Sequence, residues 1–255
     1  MGLKLDLQKS KNVLSLALQK HGVTKINPCQ VSFQMDVSAS FEREHRNGHT
    51  ETLLARIIPF ALLFDKDGVI DMYAFGNGSQ ACEEANENNY YGYVEKYLPY
   101  DTTLGYGTLY LPAFRDLVSN GFNVTEQVTE SIVKPQGFIG KFFGKEKIEQ
   151  KIVQSKESIG KHLSFFITDG EAQDQERAKD WLAQNQAEDH FIFFITIGGN
   201  DFKYFTQNYK GKEKSDYFNL THNQLAELSG KTDEELYEMF CTPSVVNWAN
   251  KEDLV

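Results

Sequence analysis

The chain has 255 residues, 40% apolar and 24% charged, with 26 Lys and Arg against 36 Asp and Glu for a formal charge of −10. That length supports one large domain or two small ones with a sizeable core, and the composition excludes the disordered and fibrous classes. The negative charge excludes nucleic acid as the default partner, because phosphate contacts need clustered Lys and Arg, and it suits a protein that attracts cations.

The opening MGLKLDLQKSKN has neither an apolar signal core nor a small-residue cleavage site. The longest apolar run, 57–64, contains Pro59 and is too short to span a bilayer, so no membrane insertion is expected. Cys29, Cys82 and Cys241 have no CxxC spacing, and the odd count suits a reducing compartment. The expected location is the cytoplasm.

Along the chain, QVSFQM (30–35) reads as a first strand, with Ser32 and Gln34 more polar than a central strand usually is. Residues 50–63 read as a helix, with Pro59 implying a kink or a late start. VIDMYAF (69–75) is a second strand entered through the turn DKDG. Residues 109–118 form a short helix, and the dense apolar runs HLSFFIT (162–168) and FIFFITI (191–197) are further strands. Between those two, 171–186 has helical composition with Trp181 and Leu182 as core candidates. The tail, 221–250, reads as two or three amphipathic helices with Leu225, Leu228, Leu236, Met239 and Phe240 on the apolar side. Buried strands separated by helices predict an α/β fold, a doubly wound and mostly parallel central sheet flanked by helices. Residues 123–160 lack a core pattern and carry Lys134, Lys141, Lys145, Lys147, Lys151 and Lys156. They are expected to be an insertion or mobile excursion on a single domain spanning 1–255, with its core at about 28–248.

The chemistry gathers at strand ends. Directly after the first strand, Asp36, Ser38 and Ser40 occupy alternate positions, so an extended backbone projects all three the same way. Asp169 follows HLSFFIT, and Thr108 lies in a Gly-containing loop before the 109–118 helix. Two carboxylates and three hydroxyls suit a small hard cation, because Mg²⁺ takes octahedral oxygen coordination, and neither imidazole nor thiolate is in the set. Alone, Asp-x-Ser-x-Ser occurs by chance on the order of once in twenty chains of this length. Its position after a strand, with Thr108 and Asp169 in order, is what makes it informative.

This DxSxS, loop Thr and strand-end Asp pattern resembles the metal-ion-dependent adhesion site of von Willebrand factor type A (vWA) domains, and all five positions match. The stretches GTLYLPAF (107–114), ENNYYGYV (87–94), FFITIGGNDFKYF (193–205) and ELYEMF (235–240) are similar to the bacterial tellurium-resistance (toxic-cation resistance) branch of that family. The resemblance implies a vWA/Rossmann-like fold and no enzymatic turnover. It implies Mg²⁺, with Mn²⁺ or Ca²⁺ as alternatives, bound by Ser38, Ser40 and Thr108 directly or through water. Asp36 and Asp169 would act through water, and a protein partner would offer a Glu or Asp to the ion. A role in tellurite or toxic-metal stress comes from the resemblance alone.

Other readings stand beside it. Asp36, Ser38 and Ser40 could form an Asx or Ser turn, and Thr108 could only cap a helix. A Mg²⁺-dependent phosphohydrolase or phosphotransferase could use Asp36 as nucleophile, but Ser38 stands where such a site needs a second acid. Asp65 to Asp71 mimics the start of a calcium loop without its closing Glu, which favours a turn. His45 and His49 have the spacing of a zinc pair, while Asn47 and Gly48 between them predict a loop with both imidazoles solvated.

Overall fold

Strand β1 (Gln30–Asp36) alternates Val31, Phe33 and Met35 with Ser32, Gln34 and Asp36, and every residue after Gln30 is buried. A computed structural model describes residues 6–100, 102–119, 122–133, 147–158, 160–198, 202–228 and 230–251. In it β1 is one of the inner strands of a six-stranded sheet with β2 (Asp71–Phe75), β3 (Ser79–Ala81), β6 (His162–Thr168), β7 (His190–Ile197) and β8 (Ser215–Leu220). The order is β3-β2-β1-β6-β7-β8, and every neighbouring pair is parallel except β2 with β3. The expected doubly wound α/β architecture is present.

The order of strands places the site. From β1 the chain moves to β2 on one side, then re-enters at β6 on the other and continues outward through β7 and β8. The direction reverses between β1 and β6, and a crevice opens at the carboxyl ends of strands at such a switch point. Asp36 ends β1 and Thr168 ends β6.

Consecutive phenylalanines show how the two faces are covered. Phe165 packs toward Phe33, Phe60, Phe193 and Phe240, beneath α3 (His49–Phe64) and α9 (Asp233–Phe240). Phe166 packs toward Phe75, Tyr110, Phe114 and Phe194, beneath α5 (Tyr110–Ser119). All these rings are essentially inaccessible apart from Phe240 at 5%, and each buried Phe contributes about 1.5–3 kcal/mol of transfer free energy. α6 (Gln175–Asn185) buries Leu182 as expected, whereas Trp181 is half-buried and stacks near Arg115. The tail is amphipathic as read: Leu228, Leu236 and Phe240 are buried and Met239 packs at the edge of the core. The side chain of Leu225 lies outside what is described.

Three local outcomes differ from expectation. α3 starts at His49 and runs through Pro59 to Phe64, so the proline neither delays nor ends it; burial of one whole face outweighs the missing N–H. The sequence reading passed over α1 (Leu7–Lys20), whose buried Leu14, Ala17 and Leu18 follow helical spacing. Arg56, inside α3, is 3% exposed and pairs with Asp233 while donating to the carbonyls of Leu228 (2.9 Å) and Lys231 (2.7 Å). Ser10 on α1 donates to the other oxygen of Asp233 at 2.6 Å, which ties three helical segments to one ion pair.

The chain divides into two compact units, 1–121 with 160–255, and 122–159. The second contains two antiparallel strands, β4 (Phe122–Val133) and β5 (Lys147–Ser158), paired over twelve positions. The sequence suggested no regular structure there, because Val124, Val128 and Ile132 recur at every fourth position rather than every second. Lys134, Lys141 and Lys145 lie outside the described residues.

Candidate metal centre

Asp36 is fully buried at the end of β1. Its Oδ1 accepts the backbone N–H of Ser38 at 2.7 Å and its Oδ2 accepts the hydroxyl of Thr168 at 2.6 Å. The turn-type bond to Ser38 is real, yet it uses only one carboxylate oxygen and leaves both serine hydroxyls pointing onward. Ser38 Oγ and Ser40 Oγ lie 3.1 Å apart, and Ser40 Oγ donates to Asp169 Oδ1 at 3.1 Å. Four of the five predicted residues thus form one chain of contacts across the β1–β6 crevice.

The loop that carries Thr108 is held beside these residues through its backbone, and among the described residues no side-chain contact joins Thr108 to the other four. Gly105 accepts from the Ala39 N–H at 2.9 Å, and Thr108 accepts from the Gln173 N–H at 3.2 Å, so the loop is clamped between the Ser38 segment and the stretch after Asp169. The Thr108 hydroxyl makes no hydrogen bond among the described residues. Glycine is needed beneath it: a Cβ on Gly76 would meet the Leu104 carbonyl oxygen at 2.1 Å, and one on Gly105 would meet that of Val37 at 2.9 Å. Asp174 fixes the far side by accepting from the N–H groups of Tyr110 (2.7 Å) and Leu111 (3.0 Å) at the start of α5.

The electrostatics are those of a site short of positive charge. Burial, followed by the nearby Asp169, pushes the Asp36 carboxyl up to about 7. Burial likewise raises Asp169, against the hydrogen bond from Ser40 and with a further push from Glu44. Two carboxylates held together this way disfavour each other's charge, and a divalent cation between them reverses that. The donor set fits such an ion. Octahedral ligands at about 2.0–2.1 Å from Mg²⁺ sit about 2.9 Å from their neighbours, close to the 3.1 Å separations of Ser38, Ser40 and Asp169. Among the described residues no group of three or more His, Cys, Asp or Glu side chains converges as a metal site.

Several supporting residues escaped the sequence reading. Thr168 precedes Asp169 and faces Asp36, a relationship only β1–β6 pairing creates. The Tyr110 hydroxyl donates to the Gly170 carbonyl and holds the turn after Asp169. The solvated loop expected at His45 and His49 is contradicted. His45 lies 4% exposed in α2 (Glu42–Arg46), between the rings of Phe41 and Tyr100. Its Nε2 donates to the Asp36 carbonyl at 2.9 Å and its Nδ1 accepts from Thr50 at 2.9 Å; burial lowers its pKa to about 4, which keeps it neutral. His49 opens α3 and pairs with Glu44 at 2.5 Å, while His222 reaches the other Glu44 oxygen at 3.1 Å. No zinc pair forms, since both nitrogens of His45 are engaged. The Asp65 stretch is a turn as expected, with Asp65 accepting from the N–H groups of Asp67 and Val31.

Fold and site together define a vWA domain. A model of the vWA found in the TerF C terminus matches residues 28–252, and the chain belongs to that vWA-TerF-like family. It is 27% identical over 92 residues to the uncharacterized protein YcbR of Bacillus subtilis (strain 168), a match spanning 36% of this chain and 37% of that protein. Among solved structures, proximal thread matrix protein 1 from the mussel byssus superposes with a TM-score of 0.52 at 13% identity, covering 84% of this chain and 48% of that one. A vWA protein from Catenulispora acidiphila superposes with a TM-score of 0.44 at 12% identity, covering 87% of this chain and 43% of that one. The chain therefore spans less than half of each relative's length. No helix among the described residues is long and apolar enough to cross a membrane.

Proposed function

We propose that this domain is a non-enzymatic, metal-dependent protein-interaction module. Mg²⁺, or Mn²⁺ or Ca²⁺ in its place, is held by Asp36, Ser38, Ser40, Thr108 and Asp169. The observation that carries this reading is the contact of Ser38, Ser40 and Asp169 oxygens at near-octahedral separations beside the buried Asp36, whose carboxyl is raised by burial and by Asp169, while burial also raises Asp169. The ion would supply an electrophilic point at the crevice. The protein's own contribution is positional: Thr168 and the Ser38 N–H hold both oxygens of Asp36, and the clamped 105–108 loop presents Thr108. Neutral hydroxyls leave the ion enough charge to take a carboxylate from a partner's Glu or Asp. The net acidic chain repels acidic partners at long range, so that attraction is short-range and metal-centred. The family suggests a cytoplasmic bacterial setting in toxic-metal or tellurite stress. Titration calorimetry with Mg²⁺ and Mn²⁺ on the wild type and on Ser38→Ala tests the proposal; equal binding by both proteins would refute it.

A further inference from the structure

A cavity of about 400 Å³ opens between α2 and the segment around α4 (Tyr93–Tyr97), lined by His45, Arg46, Glu51, Tyr91, Glu95 and Tyr100. Its volume is in the range of ligand pockets rather than packing defects. What it can hold follows from which lining groups are already engaged. His45 uses both ring nitrogens internally. Glu51 accepts the N–H groups of Gly92, Tyr93 and Val94. Arg46 donates to Glu42 through Nε at 2.6 Å and Nη2 at 2.5 Å, which neutralises it as an anion receptor. Two groups are left. The carboxylate of exposed Glu95 has no hydrogen-bond or ion-pair partner among the described residues, and the ring of Tyr91 is 52% exposed with its hydroxyl unpaired. Tyr100 already carries a guanidinium, that of Arg46, 5.9 Å from its centroid, so the aromatic wall is geometrically suited to a cation.

We infer that this cavity is a binding site for a basic side chain, Arg or Lys, presented by a protein partner, with Glu95 as its counter-ion and Tyr91 as its aromatic face. A partner of that chemistry is drawn by the chain's net charge of −10. His45 lies between this cavity and Asp36, and the test of the cavity uses no metal. Nα-acetyl-arginine amide is titrated into the whole chain while the amide-proton shifts of Gly92 and Val94 are followed, with the leucine and aspartate analogues as comparisons. Saturable shifts with the arginine compound are expected. A single cation–π contact or exposed ion pair has modest worth, so Tyr91→Ala and Glu95→Gln should each weaken binding by about threefold. Both side chains are exposed, so both variants should melt like the wild type. The inference is overturned if the arginine compound gives no saturable shift, if the leucine or aspartate compound binds as well, or if neither variant weakens binding.

Discussion

The Thr168 hydroxyl donates to Asp36 Oδ2 across 2.6 Å, joining the last residue of β6 to the last residue of β1 beneath the crevice. The contact leaves neither oxygen of Asp36 free to rotate, since the Ser38 N–H already holds Oδ1. Replacing Thr168 with Val preserves shape and removes the donor. Losing an outer hydrogen bond that orients a ligand group costs roughly tenfold or more in metal affinity. Calorimetry should therefore show at least that loss for Thr168→Val, with the sheet intact by circular dichroism; unchanged affinity would mean the bond does not organise the site.

Asp169→Asn separates the metal role from the structural one. Burial raises both carboxyls and Asp169 raises Asp36 further, so charge on this pair is disfavoured in the metal-free protein. Removing one charge should leave metal-free stability at pH 8 equal or higher, while abolishing the rise in melting temperature that a bound divalent ion gives by mass action. A variant that loses stability without metal and keeps the metal response would reverse the assignment.

Much of this site was legible in the sequence, for a physical reason. Asp36, Ser38 and Ser40 sit at alternate positions within five residues, so the single turn that follows β1 brings them together, and Asp169 directly follows a dense apolar strand. What stayed hidden depends on tertiary pairing. Thr168 matters only because β6 lies beside β1. His45 was misread because Asn47 and Gly48 look like a loop, whereas Gly48 adopts positive φ (74°) at the junction of two helices and the imidazole is packed against Tyr100. The β4–β5 strands were missed because glutamates break their apolar alternation.

Acid sensitivity should trace to the buried histidines, His162 and His190 together with His45, which burial lowers to about 4. The rings of His162 and His190 stack at 4.4 Å beside Ser32 and Ser164, and burial lowers His162 to about 3 and His190 well below its ordinary value. The unfolded chain therefore binds protons first, near pH 6.5, and stability falls as pH drops from there toward about 3, by roughly 1 kcal/mol per pH unit for each ring. Asp36 and Asp71, raised to about 7 and about 6, contribute the opposite slope, so the comparison must be between proteins. Urea midpoints at pH 7 and pH 5 should converge in His162→Gln relative to wild type; parallel losses would rule His162 out.

Arg56→Met should be severe. It strands Asp233 and two carbonyls that Arg56 now satisfies in the interior. Breaking one side of a buried pair costs about 3–5 kcal/mol, and Lys, lacking the planar fork, should not restore it. Chemical denaturation of both variants measures this. A cost within the range of ordinary surface changes, below about 0.5 kcal/mol, would show that the pair does not secure the C-terminal helices.

A crystal of the protein grown in Mn²⁺, with anomalous data, shows whether these five side chains hold a cation. A single strong anomalous peak is predicted among Asp36, Ser38, Ser40, Thr108 and Asp169, about 2.1–2.3 Å from the serine and threonine oxygens or one water away. The Ser38→Ala crystal should lose it. A peak elsewhere, or clear density for the wild-type crevice with no peak at saturating Mn²⁺, would contradict the account.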